Sequence, residues 1–184
     1  MAIIDPTRTW KLMEERLETL SSARHKRNLQ AVIDHAKAEA SGSLEDLLAT
    51  LTPEPKYHFW EQGTDVGPKG REAVSQFYIG YLASRANVLE FDLKRVVVDD
   101  SCVVTEGRYR AIYPGASAIA SGLPADDPSG TYLLEAHMVI MWPCDDDGLI
   151  IGEDSIASSK PELTKLEVAD LPTEYLDLVG SASG

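Results

Sequence analysis

His58 and Trp60 stand in a short predicted strand, residues 56–61. Side chains two residues apart in a strand point to the same side, so His58 and Trp60 share a face. A histidine at the mouth of an apolar pocket titrates near neutrality, which suits general acid–base catalysis, and the Trp60 ring offers a plane for an aromatic ligand. We predict that His58 is catalytic and that Trp60 binds the ligand. The alternative is an imidazole bonded to backbone beside a core tryptophan.

Two further groups on predicted strands are able to carry a proton. Glu153 lies in the strand predicted for residues 149–157, and we predict that it is catalytic; the alternative is a solvated carboxylate at the pocket rim. His137 lies in the strand predicted for residues 132–142 and shares a face with Glu135, with which it could pair. We predict His137 as a further catalytic residue. That face is equally compatible with the convex side of a sheet and a structural role, with Leu134, Ala136, Met138 and Ile140 inside.

Aromatic side chains recur where a ligand would need an apolar wall. Tyr109 and Tyr113 share a face of the strand predicted for residues 102–113, and Phe77 and Tyr81 lie one helical turn apart. A buried phenol can donate a hydrogen bond to an oxyanion that develops during a reaction. We therefore predict that Tyr109 is catalytic and that Phe77, Tyr81 and Tyr113 bind the ligand. The alternative for the two tyrosines of the strand is a core position with locally satisfied hydroxyls.

The pattern of apolar residues predicts which elements would position these groups. A 3.6-residue period gives way after about residue 84 to a period of two, which predicts helices and one strand first and antiparallel strands afterwards. Such segregation indicates an α+β fold rather than an alternating α/β fold. The predicted helices span residues 7–20, 22–40, a short stretch from 43, and 71–83; the predicted strands span residues 56–61, 88–98, 102–113, 132–142 and 149–157.

Composition narrows the classes of partner and cofactor. The 184 residues carry a net charge of −13, which disfavours nucleic acid and anionic membranes because both need a basic surface. No apolar run approaches the roughly 20 residues that span a bilayer, and no secretory signal is evident, so a cytoplasmic location is expected. The two cysteines form no zinc-type cluster, and three consecutive aspartates at 145–147 cannot all face one ion. No nucleotide-binding motif is present, so neither metal nor cofactor is expected.

Several stretches together resemble the nuclear transport factor 2-like (NTF2-like) superfamily, and within it the SnoaL-like group. They are the helix–Gly–helix unit at residues 29–51, the strand at 57–60 followed by Gly70-Arg71-Glu72-Ala73-Val74 and Phe77-Tyr78, and Asp147-Gly148-Leu149-Ile150-Ile151 before the last strand. The resemblance implies a cone in which helices pack on the concave face of a curved antiparallel sheet around a pocket. It covers residues 22–158, which leaves a helical extension at 1–21 and a tail at 159–184. The segment at 114–130 is expected to cap the pocket.

The resemblance implies a small-molecule pocket protein but not one reaction, because members include isomerases, dehydratases, epoxide hydrolases, cyclases, cofactor-free lyases and simple binders. Relatives often keep an acid where Ser155 stands, and Glu153 is the nearest substitute on the same face. We expect a cofactor-free lyase or isomerase acting on a small aromatic or polycyclic molecule, with lignin-derived aryl compounds as one substrate class. The alternative is a non-catalytic binding or assembly module. A homodimer or homotrimer is expected, and in the alternative the face carrying Glu106, Arg108 and Arg110 mediates oligomerisation.

Overall fold

The computed structural model describes residues 3–61, 63–158, 160–173 and 175–176, with only the backbone of Glu61. The elements follow the predicted α+β order. The helices are α1 (Arg8–Thr19), α2 (Ala23–Ser41), α3 (Leu44–Ala49), α4 (Arg71–Ala83) and α5 (Gly115–Ala120). The strands are β1 (His58–Glu61), β2 (Thr64–Asp65), β3 (Leu89–Val98), β4 (Cys102–Pro114), β5 (Thr131–Pro143), β6 (Asp154–Ala157) and β7 (Glu162–Leu166).

One curved, unclosed sheet organises the chain, and its strand order is β2-β1-β6-β5-β4-β3. Strands β3, β4 and β5 form a long antiparallel meander, while β1 joins the sheet by a short parallel pairing with β6. A bulge between Leu93 and Arg95 keeps the apolar side chains of β3 directed inwards on both sides of the irregularity. β7 pairs with residues 131–135 of β5, along the same edge on which β6 pairs with residues 138–141.

The helices begin and end where local chemistry requires. Ser22 caps α2 by accepting a hydrogen bond from the backbone N–H of His25, and Gly42 ends α2 with a positive φ of 74°. Ser43 then caps α3 in the same way. The helices pack on the inner face of the sheet around one core, whose fully buried members include Leu29, Val32, Ile33, Leu47, Tyr57, Val74, Tyr78, Val103 and Ile150.

Both terminal segments join the fold. Met13 and Leu20 of α1 belong to the main core, and Oγ1 of Thr9 accepts a hydrogen bond from the backbone N–H of Phe91 on the edge strand β3 at 3.0 Å. On the outer face, Ile4 and Tyr175 close a second cluster that contains Val88, Ile112 and Leu133. The division of the chain at 21/22 and 158/159 stays a prediction, and residues 177–184 of the predicted tail lie outside the described residues.

Three predicted segments differ from the structure. The strand predicted for 149–157 is a regular strand only at Asp154–Ala157, and the segment before it is held by separate backbone hydrogen bonds, from the N–H of Lys56 to the carbonyl of Ile151 and from the N–H of His58 to that of Glu153. The segment at 114–130 contains α5 and closes on itself, with the N–H of Gly115 donating to the carbonyl of Gly130 at 2.7 Å. The predicted tail contributes β7, whose short alternating pattern was too weak to predict a strand.

Candidate active site

Between the inner face of the sheet and the helices, mainly aromatic side chains stay partly accessible and so border a cleft. Each lining residue is partly accessible although it lies beside the main core; these are Phe59, Phe77, Tyr81, Tyr109 and Met138, with Tyr113 next to them. The Phe59 and Phe77 rings are 5.3 Å apart, and Phe77 stacks on Tyr81 at 6.0 Å. A cleft of this composition suits an apolar or aromatic ligand.

Two carboxyl groups act through their charges on the tyrosines of this region. Glu39 comes from α2, and Glu153 immediately precedes β6. Both are partly accessible, yet desolvation raises the pKa of Glu39 to about 7 and that of Glu153 to about 8. The charge of Glu39 raises the pKa of Glu153 further. Because the charge of Glu39 acts on Glu153, the two acids titrate as one coupled pair.

Tyrosines surround the acid pair. Burial raises the pKa of Tyr81, Tyr109 and Tyr113, and the charge of Glu39 contributes in the same direction for each. The Tyr81 hydroxyl donates to the carbonyl oxygen of Ala86 at 2.9 Å, and hydrogen bonding with Tyr81 limits the rise in the pKa of Glu39. These phenols therefore stay protonated at physiological pH, and their hydroxyls are polar groups in an otherwise apolar wall.

A buried polar chain lies behind the cleft. His35 is fully buried on α2; its Nδ1 is 2.7 Å from Oγ1 of Thr50, and its Nε2 is 3.0 Å from the Tyr78 hydroxyl. The Tyr78 hydroxyl is in turn 3.0 Å from that of Tyr57. Burial lowers the pKa of His35 to about 3, so the ring is neutral at physiological pH.

The structure brings together five of the eight predicted site residues, namely Glu153, Tyr109, Phe77, Tyr81 and Tyr113. Glu153 and Ser155 sit on the inner side, as the resemblance implies, because Ser155 pairs with Ile140 of the core. The roles of these five residues remain to be tested.

The other three predicted residues lie on the outer side. His58 pairs with Asp65 through Nδ1 at 2.7 Å and stacks on Trp60, which is 48% exposed. Tyr57 and Phe59 take the inner positions of this segment instead. His137 is 63% exposed and lies 3.0 Å from Glu106. His137 therefore lies on the convex side of the sheet, which is the alternative given for this strand, since Ile140 and Met138 pack inwards.

Sequence reasoning missed Glu39. It lies three residues after Ala36 and seven after Val32, so it continues the buried stripe of α2. A carboxylate at an apolar position of a helix is an informative signal, because burying a charge is costly. Extending the stripe by one turn would have identified Glu39. Nothing in the sequence pattern linked His35 to Tyr57 and Tyr78.

Gly152 controls the position of Glu153. A Cβ at residue 152 would lie 1.8 Å from the carbonyl oxygen of Lys56, which is far inside van der Waals contact with backbone. We expect Gly152→Ala to push the chain before β6 away from residue 56, to cost about 2–4 kcal/mol of unfolding free energy and to displace Glu153. Urea unfolding checks the cost. Gly80→Ala is the matched control, because a Cβ there meets open space and Ala favours a helix; equal effects of both changes would contradict this account.

No group of three or more metal-binding side chains converges among the residues that the structure describes. In the same part of the chain, no helix combines the length and the apolar character that crossing a bilayer requires.

The geometry defines an open-sheet cone with an acid pair in an aromatic cleft, and comparison with known proteins identifies the class. The SnoaL-like domain model matches residues 32–151, so the chain belongs to the SnoaL-like family of the NTF2-like superfamily. No curated protein matches the chain at a significant level.

Solved structures share the fold at low sequence identity. An NTF2-like protein from Anabaena variabilis ATCC 29413 is 17% identical, with 77% of this chain and 95% of that chain covered and a TM-score of 0.57. A protein from Shewanella putrefaciens CN-32, described as a SnoaL-like polyketide cyclase, is 10% identical over 85% and 90%, with a TM-score of 0.59. SalBIII, an epoxide hydrolase/cyclase-like enzyme with a role in pyran ring formation in the polyether salinomycin, is 12% identical over 72% and 92%, with a TM-score of 0.52.

Proposed function

We propose that this protein is a cofactor-free enzyme that uses general acid–base catalysis on a small aromatic or polycyclic molecule held in the cleft. The observation that carries the proposal is the pair Glu39 and Glu153, whose pKa values of about 7 and about 8 lie near physiological pH. General acid–base catalysis is most efficient when the pKa of the catalytic group is close to the working pH. A carboxyl group with an ordinary pKa would be ionised and unable to act as an acid.

The pair supplies both directions of proton transfer. Near neutral pH the coupled groups retain about one proton between them, so the ionised member removes a proton from the substrate and the protonated member delivers one elsewhere. The phenol of Tyr109 stands beside Glu39 and would donate to an oxyanion formed between these steps. An isomerase returns the proton to another atom of the same molecule. A lyase takes the proton from a hydroxyl as a carbon–carbon bond breaks.

The relatives support chemistry of this kind. Family membership and the cyclase-type names among the structural neighbours fit a cofactor-free enzyme that rearranges small organic molecules. The finer version, a lyase on lignin-derived aryl compounds, is supported by the aromatic lining of the cleft. Ser155 stands two residues beyond Glu153 on the inner face. The acid of this protein therefore lies at a different position along the strand than in relatives that keep it at the Ser155 position.

The test is a turnover screen of the wild-type protein against ketosteroids, epoxides and lignin-type diaryl compounds. We expect turnover of one class, with a rate that falls at least about 100-fold in Glu153→Gln and in Glu39→Gln. Glu72→Gln is the matched control, since Glu72 is exposed on α4. Turnover that survives both cleft substitutions but is lost in His58→Asn or His137→Gln would overturn the acid-pair assignment. A ligand that copurifies and is never converted would favour a binding module.

A further inference from the structure

Hydrogen bonds link Thr50, His35, Tyr78 and Tyr57 in a chain, and the donors and acceptors along this chain determine the direction in which each bond is donated. Oγ1 of Thr50 lies 2.7 Å from the carbonyl oxygen of Leu47, and two oxygens this close need a hydrogen between them. The only hydrogen of the Thr50 hydroxyl is therefore committed to Leu47. Oγ1 of Thr50 is also 2.7 Å from Nδ1 of His35, so it must accept there, and His35 carries its proton on Nδ1.

The remaining links follow from the tautomer of His35. A neutral ring with a proton on Nδ1 has none on Nε2, so Nε2 accepts from the Tyr78 hydroxyl at 3.0 Å. The single hydrogen of Tyr78 is then used, and its oxygen must accept from the Tyr57 hydroxyl at 3.0 Å. Each donor in the chain therefore has one acceptor. The hydroxyl hydrogen of Tyr57 points towards Tyr78 and away from groups on the other side of Tyr57.

Glu153 is the acid whose charge acts most strongly on Tyr57, the last member of this chain. The backbone N–H of His58, the residue after Tyr57, donates to the carbonyl oxygen of Glu153 at 2.8 Å, which places Tyr57 and Glu153 on adjacent segments. The other charged and titratable groups that act on Glu153 are Glu39 from α2, Asp154 beside it and Tyr78 from α4. A Tyr57 hydroxyl committed to Tyr78 has no hydrogen with which to stabilise the carboxylate of Glu153.

We propose that His35 is a positioning residue: acting through Tyr78, it fixes the Tyr57 hydroxyl as an acceptor towards the cleft, so that Glu153 is the member of the acid pair that holds the proton. This role in the reaction rests on the proposed function, whereas the direction of the chain and its effect on the protonation of Glu153 do not. His35 touches no reacting atom and acts only through the two tyrosines.

The critical link is Thr50, because among the residues that the structure describes its hydroxyl is the one acceptor for Nδ1 of His35. Thr50→Val removes that acceptor and favours the other tautomer, with the proton on Nε2. Tyr78 must then accept from His35 and donate to Tyr57, which frees the Tyr57 hydroxyl to donate into the cleft. A donor beside a carboxyl group favours its ionised form. We therefore expect the carboxyl of Glu153 to titrate about one pH unit lower in Thr50→Val than in the wild type.

The experiment combines two NMR measurements on the intact protein, neither of which needs a substrate. Nitrogen-15 shifts report the tautomer of His35, and carbon-13 shifts of the glutamate carboxyl groups follow the titration of Glu153, which Glu153→Gln assigns. We expect the Nδ1–H tautomer in the wild type and in the matched control Thr50→Ser, which keeps the hydroxyl. We expect the Nε2–H tautomer and the lower titration of Glu153 in Thr50→Val.

The outcomes separate this proposal from the proposed function. A wild-type ring with its proton on Nε2 overturns the chain direction, and it does so even if Thr50→Val fails to fold. A reversed tautomer in Thr50→Val with an unchanged titration of Glu153 overturns the positioning role. If both expected results appear but no tested substrate turns over, the positioning of the proton stands and only the proposed enzyme activity fails.

Discussion

Glu153→Gln is expected to stabilise the protein by about 2–4 kcal/mol at pH 8.5 and to change its stability little at pH 4, because burial opposes only the ionised form. The pKa of Glu153 in the folded protein is about 8, raised from an ordinary value of 4.5. Between these values the folded state binds a proton that the unfolded state has released. Stability is therefore fully present below about pH 4.5 and is lost as the pH rises to about 8.

The measurement is urea unfolding of wild type and variant at intervals from pH 4 to pH 9. The wild-type free energy of unfolding should fall between about pH 4.5 and pH 8. The decline should be weaker in Glu153→Gln and also in Glu39→Gln, because the pKa of Glu39 is raised to about 7. Glu72→Gln again serves as control, because Glu72 is exposed on α4. Parallel curves for wild type and Glu153→Gln would mean that Glu153 is solvated, and the acid pair would lose its basis.

The contrast between Glu153 and His58 shows what a strand pattern can and cannot predict. Glu153 was predicted to share a face with Leu149 and Ile151, but Ile150 is fully buried and Ile151 is 37% exposed, so the alternation does not continue across Gly152. The segment at 57–60 has aromatic or imidazole side chains on both faces, so alternation could not distinguish inside from outside. The parallel pairing of β1 with β6 determines which face of this segment lies inside, and it joins segments nearly 100 residues apart. No local pattern contains that information.

The helical period of α2 contains more information about the site than the prediction drew from it. The stripe of α2 predicts the buried positions correctly, and its last turn contains Glu39. His35 is a different case, because its role depends on Thr50 of the next helix and on Tyr78 of α4, which meet only in the folded core. β7 shows the same limit, since its pairing with β5 supplies the stability that its own short pattern lacks.

Glu90→Ala is expected to lower the free energy of unfolding by about 3–5 kcal/mol, because it removes one partner of a buried ion network. The Glu90 side chain is 2% exposed and lies 3.4 Å from both Arg8 and Arg110, while its Oε2 accepts from the backbone N–H of Asp5 at 2.7 Å. Without it, the N–H of Asp5 loses its acceptor and Arg110 keeps only its bond to Glu135 at 2.8 Å. The start of α1 would then lose its anchor on the edge strand β3.

Urea unfolding measures this loss, and hydrogen exchange locates it, with faster exchange expected in α1 than in β4 and β5. The matched control is Glu14→Ala, which breaks the ion pair of the same helix with Lys37 at 2.6 Å. Both partners of that pair are more than 40% exposed, so it contributes less than about 1 kcal/mol. A loss in Glu90→Ala as small as the loss in Glu14→Ala would contradict the anchoring role. It would mean that the packing of Met13 and Leu20 and the hydrogen bond between Thr9 and Phe91 are sufficient to hold α1 against the sheet.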